Sequence, residues 1–333
     1  MKNGNFMSMK KSIEEINEKI KSGRSVVLTA EEVSKMSEDH SPGEIAKKVD
    51  VVTTATFGPM CSSGAFINFG HSDPPIRMEN IWLNDVPVFP GVAAVDAYIG
   101  ATSVSEKNEK YGGAHILEAL VKGEDIRLKA TAKGTDCYPR KSIDTIINKD
   151  SVNEIIMINP RNAYQNYPAA INTSSKLIYT YMGNLLPKMG NITYSTSGEL
   201  SPLLNDPEMR TIGIGTRIFL CGAQGYVAWN GTQFHTTKPK NKDGIPKENA
   251  ASLALIGDMK AMNEEFIKAA YYEKYGVSIF IGVGIPIPMI DEEMAHFVSI
   301  KNKDIQTFIL DYGTPGHPSV GETNYRELMS GRF

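Results

Sequence analysis

The sequence predicts an α/β protein of mixed sheets with peripheral helices, a β-rich middle section and a single compact unit. Three observations lead there. Helical patterns with start signals crowd the first fifty residues. Strand-like apolar runs recur from Val51 onward. β signals dominate 211–235. No internal repeat, low-complexity tract or flexible linker divides the 333 residues. Residues 1–333 therefore read as one domain, with 1–49 as a peripheral helical segment.

Ser12 with Glu15 forms a capping box before Ile13, Ile16 and Ile20, and Gly23 is the stop. Thr29 with Glu32 is a second box. Ser41-Pro42-Gly43-Glu44 is a third start, with Pro42 at the first helical position. Residues 50–56 read as the first buried strand. Residues 79–90 read as a strand pair turning at Asn84-Asp85. Ile126 to Ala132 alternates and runs into Gly134-Thr135-Asp136-Cys137-Tyr138-Pro139-Arg140. Glu154 to Ile158 is closed by Asn159-Pro160-Arg161. Runs ending in such polar loops suit α/β layering, with ligands beyond the strand ends.

Further on, Asn230-Gly231 between Tyr226–Ala228 and Gln233-Phe234 predicts a hairpin. Residues 249–275 carry a helical pattern ending near Gly276. Val277–Val283 and Ile305–Leu310 read as strands, and 311–328 as a loop dense in Gly and Pro.

Composition narrows the function. The formal charge is −3, from 35 basic and 38 acidic residues without a basic block, which speaks against nucleic-acid binding. No run is long and apolar enough for a membrane span, and the N-terminus lacks a signal-peptide core, so the cytoplasm is expected. Three widely spaced cysteines, with no C-x-x-C, suggest free thiols rather than a disulfide framework.

The chemistry concentrates in residues 57–78. Cys61 follows a β-branched run and sits among Gly58, Pro59, Ser62, Ser63 and Gly64, a poor core composition. Such a loop exposes backbone N–H groups, and a glycine lets a substrate approach. Ten residues on come His71, Asp73 and Arg77, offering a base or metal ligand, a carboxylate and a guanidinium. Cys137 lies in a second polar loop beside Arg140, whereas Cys221 has an apolar strand context. Arg77, Arg140, Arg161 and Arg217 follow or flank strands, and one or two of them should clamp a carboxylate. His317 is a weaker histidine candidate. Gly213-Ile214-Gly215 and Gly282-Val283-Gly284 complete no nucleotide loop, so no tightly bound cofactor is expected. Residues alone leave three readings: a cysteine-dependent transferase, a cysteine-nucleophile hydrolase or acyltransferase, and a non-catalytic sulfur relay.

Residues 52–78 (VTTATFGPMCSSGAFINFGHSDPPIRM), 134–141 (GTDCYPRK) and 313–328 (GTPGHPSVGETNYREL) resemble the homocysteine biosynthesis enzyme family, the L-aspartate semialdehyde sulfurtransferases of anaerobic archaea and bacteria. The resemblance implies sulfur insertion into L-aspartate semialdehyde to give L-homocysteine. It implies a Cys61 persulfide, with Cys137 as second thiol. Many archaeal members carry paired CBS domains, which are not expected here. The expected small molecules are the aldehyde with sulfide or sulfane sulfur. The expected protein partners are a separate ferredoxin-like iron–sulfur protein as electron donor and, in a homo-oligomer, further copies. Within this scheme His71 moves a proton to the aldehyde oxygen. Arg77 or Arg140 holds the α-carboxylate and Asp73 the α-ammonium, and Ser62, Ser63 and Gly64 line the substrate.

Overall fold

The computed structural model describes residues 10–92, 95–235 and 237–331. The first nine residues of the predicted helical segment, and the last two of the predicted domain, lie outside the described residues. The segment that follows forms α1 (Ile13–Lys21), β1 (Val27–Thr29), α2 (Ala30–Met36) and α3 (Pro42–Lys48). Each helix begins with the capping box its sequence signals. Ser12, Thr29 and Ser41 accept the N–H of Glu15, Glu32 and Glu44, whose carboxylates return to the cap N–H. The three-residue β1 has no alternation to betray it; it is held by parallel pairing to the next strand.

That strand is β2 (Val51–Pro59), which continues past the predicted 50–56. A turn at 60–63 leads into β3 (Gly64–Asn68). β4 (Asn80–Leu83) and β5 (Val86–Val92) form the expected hairpin, with Asn84 and Asp85 at φ 44° and 64° as its type demands. β6 (Val95–Gly100), α4 (Gly113–Lys122), β7 (Ile126–Thr131), β8 (Ser142–Ile147) and β9 (Glu154–Asn162) follow. The small strands β10 (Ala169–Ile171), β11 (Ile178–Thr180) and β12 (Gly183–Leu185) precede α5 (Pro202–Asn205). Then come β13 (Arg217–Leu220), β14 (Ala223–Asn230), β15 (Leu253–Asp258), β16 (Ile267–Tyr272) and β17 (Gly276–Pro288). The chain closes with α6 (Glu292–Phe297), β18 (Gln306–Asp311), β19 (Ser319–Asn324) and α7 (Tyr325–Met329).

The main sheet runs β1-β2-β17-β13-β14-β15-β9-β3-β6-β5-β4-β7-β8, with β16 paired to β17. Six strand steps separate β2 from β3 along this path. In a flat sheet they would stand roughly 29 Å apart. The chain from Pro59 to Gly64 reaches at most about 18 Å. The sheet must therefore roll, and its roll is closed by the turn at 60–63 rather than by a strand pair. One apolar core, including Ile67, Ile99, Leu117, Leu128, Ile155, Leu255 and Ile281, fills the concavity, and α4 packs there with eight of its residues buried. A second cluster sets α2 and α3 against β2, the end of β17 and α6.

Mixed sheets with peripheral helices are thus present, and the middle is β-rich. Five expectations change. Among the described strands only β1–β2 and β10–β18 pair in parallel, so the sheet is built from hairpins rather than α/β crossovers. Asn159-Pro160-Arg161 lies inside β9, where a register shift against β15 accommodates the proline. Asn230-Gly231 ends β14 without a turn; Gly231 is needed because a Cβ would lie 2.2 Å from Ser252 Oγ. The real hairpin turn is Cys221-Gly222, both at positive φ.

The helical pattern at 249–275 folds as β15, two short 3₁₀ turns and β16, because pairing with β9, β14 and β17 overrides local periodicity. The terminal 311–328 is not all loop. It contains β19, paired with β18, and the start of α7.

Asp50 ties the N-terminal segment down. Its buried carboxylate accepts from Lys11 Nζ (2.9 Å), Lys19 Nζ (2.6 Å) and the Val26 N–H (3.0 Å). Burial pushes its pKa up, but these donors outweigh burial and hold it at about 2, below the ordinary 3.8. A depressed folded-state pKa stabilises above the unfolded value, and that stability is lost as pH falls through the folded one. Asp50→Asn should therefore cost about 2 kcal/mol at pH 7. Urea unfolding should show the gap to wild type narrowing as pH falls from 3.8 towards about 2.

Candidate active site

Cys61 occupies the turn that closes the rolled sheet. The Met60 N–H donates to Ile279 O of β17 (2.7 Å), and the Ser63 N–H returns to Met60 O (2.9 Å). This places a half-buried thiol at the seam between the β2–β17 pair and the β3–β9 pair. Its sulfur lies 3.0 Å from Ser278 Oγ on β17 and accepts from Tyr275 Oη at 3.1 Å. Tyr275 sits in the β16–β17 hairpin, whose sharp reversal is made by Lys274 (φ 57°) and Gly276 (φ 116°).

Tyrosines surround this thiol. Tyr272 and Tyr181 pack their rings 6.2 and 5.8 Å from that of Tyr275, and Tyr164 packs 4.9 Å from Tyr167. Tyr167 and Tyr181 share a short hydroxyl–hydroxyl hydrogen bond. Burial raises the Tyr164, Tyr181 and Tyr275 phenols well above their ordinary range; for Tyr275 the bond to Cys61 adds to it, and for Tyr164 and Tyr275 nearby Arg161 partly opposes it. Tyr272 is pushed up to about 12 by burial and by the Cys61 sulfur. These phenols stay protonated at neutral pH, so they act as donors towards an anionic sulfur or oxygen. A cavity of about 350 Å³, bounded by Gly58, Pro59, Met182 and Tyr272, adjoins the group.

The other predicted residues gather elsewhere. β3 carries the chain about 13 Å away from the thiol before the His71 segment begins. His71, Arg77 and Tyr138 line a separate cavity of about 650 Å³, together with Asp96. Asp96 has its carboxyl pKa raised by burial, against a 2.7 Å bond from the Phe69 N–H and the proximity of His71. The 133–141 loop meets this end too, since the Arg140 N–H reaches Pro75 O at 3.3 Å. Cys137, Asp73, His71 and Arg77 are exposed and Arg140 half-buried. Along the sheet β7, which leads into the Cys137 loop, is four strands from β3. The structure thus divides the predicted constellation, with Cys61 at one end and Cys137, His71, Arg77 and Arg140 at the other.

Nearer Cys61, Ser62 is half-buried, and the buried Ser63 hydroxyl accepts from the Asn159 amide at 2.8 Å. The space over Gly64 is already filled: a Cβ would lie 2.3 Å from Tyr98 Oη, so this glycine serves strand packing. Buried Cys221 has its thiol pushed up to about 12 by desolvation. His317 stacks on Tyr312 at 4.0 Å, beyond Tyr181. Sequence reasoning singled out neither Ser278 nor the tyrosines. The signal available was the bunching of Tyr164 and Tyr167, and of Tyr271, Tyr272 and Tyr275, in polar stretches.

Among the described residues, no group of three or more His, Cys, Asp or Glu could hold a metal ion, and no helix is long and apolar enough to cross a membrane.

Fold and site together define a sheet-rich protein built around one tyrosine-caged thiol. The chain belongs to the family described as homocysteine biosynthesis enzyme, sulfur-incorporation, which matches residues 25–332. It is 48% identical over 97% of its length to the L-aspartate semialdehyde sulfurtransferase of Methanosarcina acetivorans. It is 50% identical, again over 97%, to the protein of that name from Methanocaldococcus jannaschii. The chain spans 63% of the length of each of these relatives. An uncharacterized protein of Methanothermobacter thermautotrophicus is 28% identical over 97% of the chain and 73% of its own length. No solved structure matches the chain.

Tyr275→Phe removes the hydroxyl bonded to the sulfur and should slow alkylation of Cys61 by iodoacetamide roughly three- to tenfold at fixed pH. Peptide mass spectrometry separates Cys61 from the other two thiols, and an unaltered rate would show that the phenol does not support the reactive form.

Proposed function

We propose that this chain inserts sulfur into L-aspartate semialdehyde to form L-homocysteine, with Cys61 carrying the sulfur as a persulfide. The observation that carries the reading is the Cys61 thiol held between Tyr275 and Ser278, in a chain that belongs to a sulfur-incorporating family. The names of its relatives from Methanosarcina acetivorans and Methanocaldococcus jannaschii support the substrate.

The electron count sets what the site needs. Aldehyde, sulfide, two electrons and two protons give thiol and water. When the sulfur arrives as a persulfide, two more electrons and two more protons return Cys61 to its thiol. The chain's own residues hold the reactants. The terminal persulfide sulfur attacks the aldehyde carbon, and a protonated phenol, Tyr275 or Tyr272, donates to the oxygen that becomes negative. Two electrons and two protons cleave the S–S bond and return Cys61 to its thiol; water then leaves from the carbon to give C=S, which the other two electrons and two protons reduce to the thiol. A ferredoxin-like iron–sulfur protein is the proposed electron donor.

Cys137 is the proposed second thiol, acting from its exposed loop. A bond between it and Cys61 of the same chain requires that loop to move; otherwise a second copy supplies it. His71, Asp73, Arg77 and Arg140 then serve the Cys137 end, where a donor protein or the sulfur source arrives.

Anaerobic incubation with a sulfane-sulfur donor such as polysulfide, the aldehyde and a chemical reductant should yield homocysteine. Cys61→Ser should lower that yield at least roughly a hundredfold. A folded Cys61→Ser protein that forms homocysteine at the wild-type rate would remove Cys61 from the reaction. Cys137→Ser should still load sulfane sulfur on Cys61 yet fail in multiple turnovers. Unchanged steady-state turnover would take Cys137 out of the scheme.

A further inference from the structure

We infer that Arg161 forms the carboxylate-binding subsite facing Cys61, and that this subsite selects small substrates bearing an α-carboxylate. The inference deepens the proposed function and rests on it only for the name of the substrate.

Strand register makes the first argument. β3 and β9 pair antiparallel, with Gly64 opposite Ile158 and Ala65 opposite Met157. The relation extends beyond the last ladder pair, because Asn159 Nδ2 donates to Ser63 Oγ at 2.8 Å. β9 runs on to Asn162 while the facing chain turns at 60–63, so Arg161, two residues past Asn159, lies on the side of the seam that carries Cys61. The phenols agree, since Tyr164 and Tyr275 each sense both Arg161 and Cys61.

The second argument is the state of the guanidinium. Arg161 is half-buried, and its Nε is buried without a hydrogen-bond partner. Its ring contact is with Tyr164, whose centroid lies 6.0 Å from Cζ. Among the described residues no carboxylate pairs with it. Arg127 and Arg210, by contrast, each hold a carboxylate. An unpaired buried donor is costly, and a guanidinium fork matches a carboxylate in two parallel bonds. A ligand carboxylate set there stands beside the sulfur, leaving a short carbon chain to place its carbonyl at the thiol.

Two haloacetyl probes of similar size test this directly. Iodoacetate carries a carboxylate and iodoacetamide does not, and both alkylate a thiolate with loss of iodide. Their rate ratio at Cys61 cancels any effect of Arg161 on thiol ionisation. Arg161→Gln should lower the iodoacetate-to-iodoacetamide ratio at Cys61 roughly tenfold or more. The ratio at exposed Cys137 should stay the same, and buried Cys221 should stay unlabelled as a check on folding. On the wild type, succinate should slow iodoacetamide labelling of Cys61 and succinamide should not. An unchanged ratio in a folded variant, or equal protection by the two succinyl compounds, would overturn the subsite. Labelling needs no turnover, so a failed homocysteine assay would count against the reaction and leave the subsite standing.

Discussion

The turn at Met60–Ser63 is the constraint on which the rest of the structure depends. It joins two strands that the sheet order sets six steps apart, so the sheet can exist only rolled. Its hydrogen bonds fix both sides of the seam: Met60 to Ile279 on one, Ser63 to Ala101 on the other. Met60 itself is buried in the core, and Gly64 lets Tyr98 lie directly against the start of β3. A slip of one residue would turn every inward side chain of β3 outward, so the turn's length is fixed by the core on both sides. Cys61 is positioned by this geometry and by no element of its own.

The same seam explains the chemistry around the thiol. The end of β2, the start of β3, the end of β9 and the β16–β17 hairpin meet there, and they deliver phenols and hydroxyls rather than carboxylates. Buried phenols resist ionisation, so the cage donates hydrogen bonds without adding negative charge beside a sulfur that must be an anion to react. Arg161 supplies the positive charge. A half-buried guanidinium left without a partner works against stability, and local rules are broken in this way where a ligand completes the set.

Much of the fold was legible because local signals and tertiary pairing agree. The capping boxes at Ser12, Thr29 and Ser41, and the Asn84-Asp85 turn, specify their elements through contacts three residues away or fewer. Legibility fails where partners are distant in sequence. Residues 249–275 carry a helical rhythm, yet β9, β14 and β17 claim two stretches of them as strands. Asn230-Gly231 carries a turn signal, yet its glycine answers to Ser252. The site follows the same rule. Cys61 stood out by its neighbours in the chain. Tyr275, Ser278 and Arg161 reach it only through pairings made 100 to 217 residues away. His71 and Arg77 were attractive because they are close in sequence, and β3 carries them off to the other end.

That separation has a consequence for how sulfur and electrons travel. The half-buried Cys61 thiol, bonded to Tyr275 and beside Ser278, suits a small aldehyde on the proposed scheme. Cys137 has the opposite character: it sits on an exposed loop, with Tyr138 and Arg77 beside a wide cavity and no cage over it. For a protein donor as proposed, the exposed Cys137 end is the accessible one, and the proposed carbon chemistry belongs to the Cys61 end. On the proposed scheme a small sulfane-sulfur donor such as polysulfide can bypass the loop. A protein donor cannot. Under the proposed function the two cysteines are unequal in a specific sense: Cys61 carries the sulfur whatever its source, whereas dependence on Cys137 grows with the size of the molecule that brings sulfur or electrons.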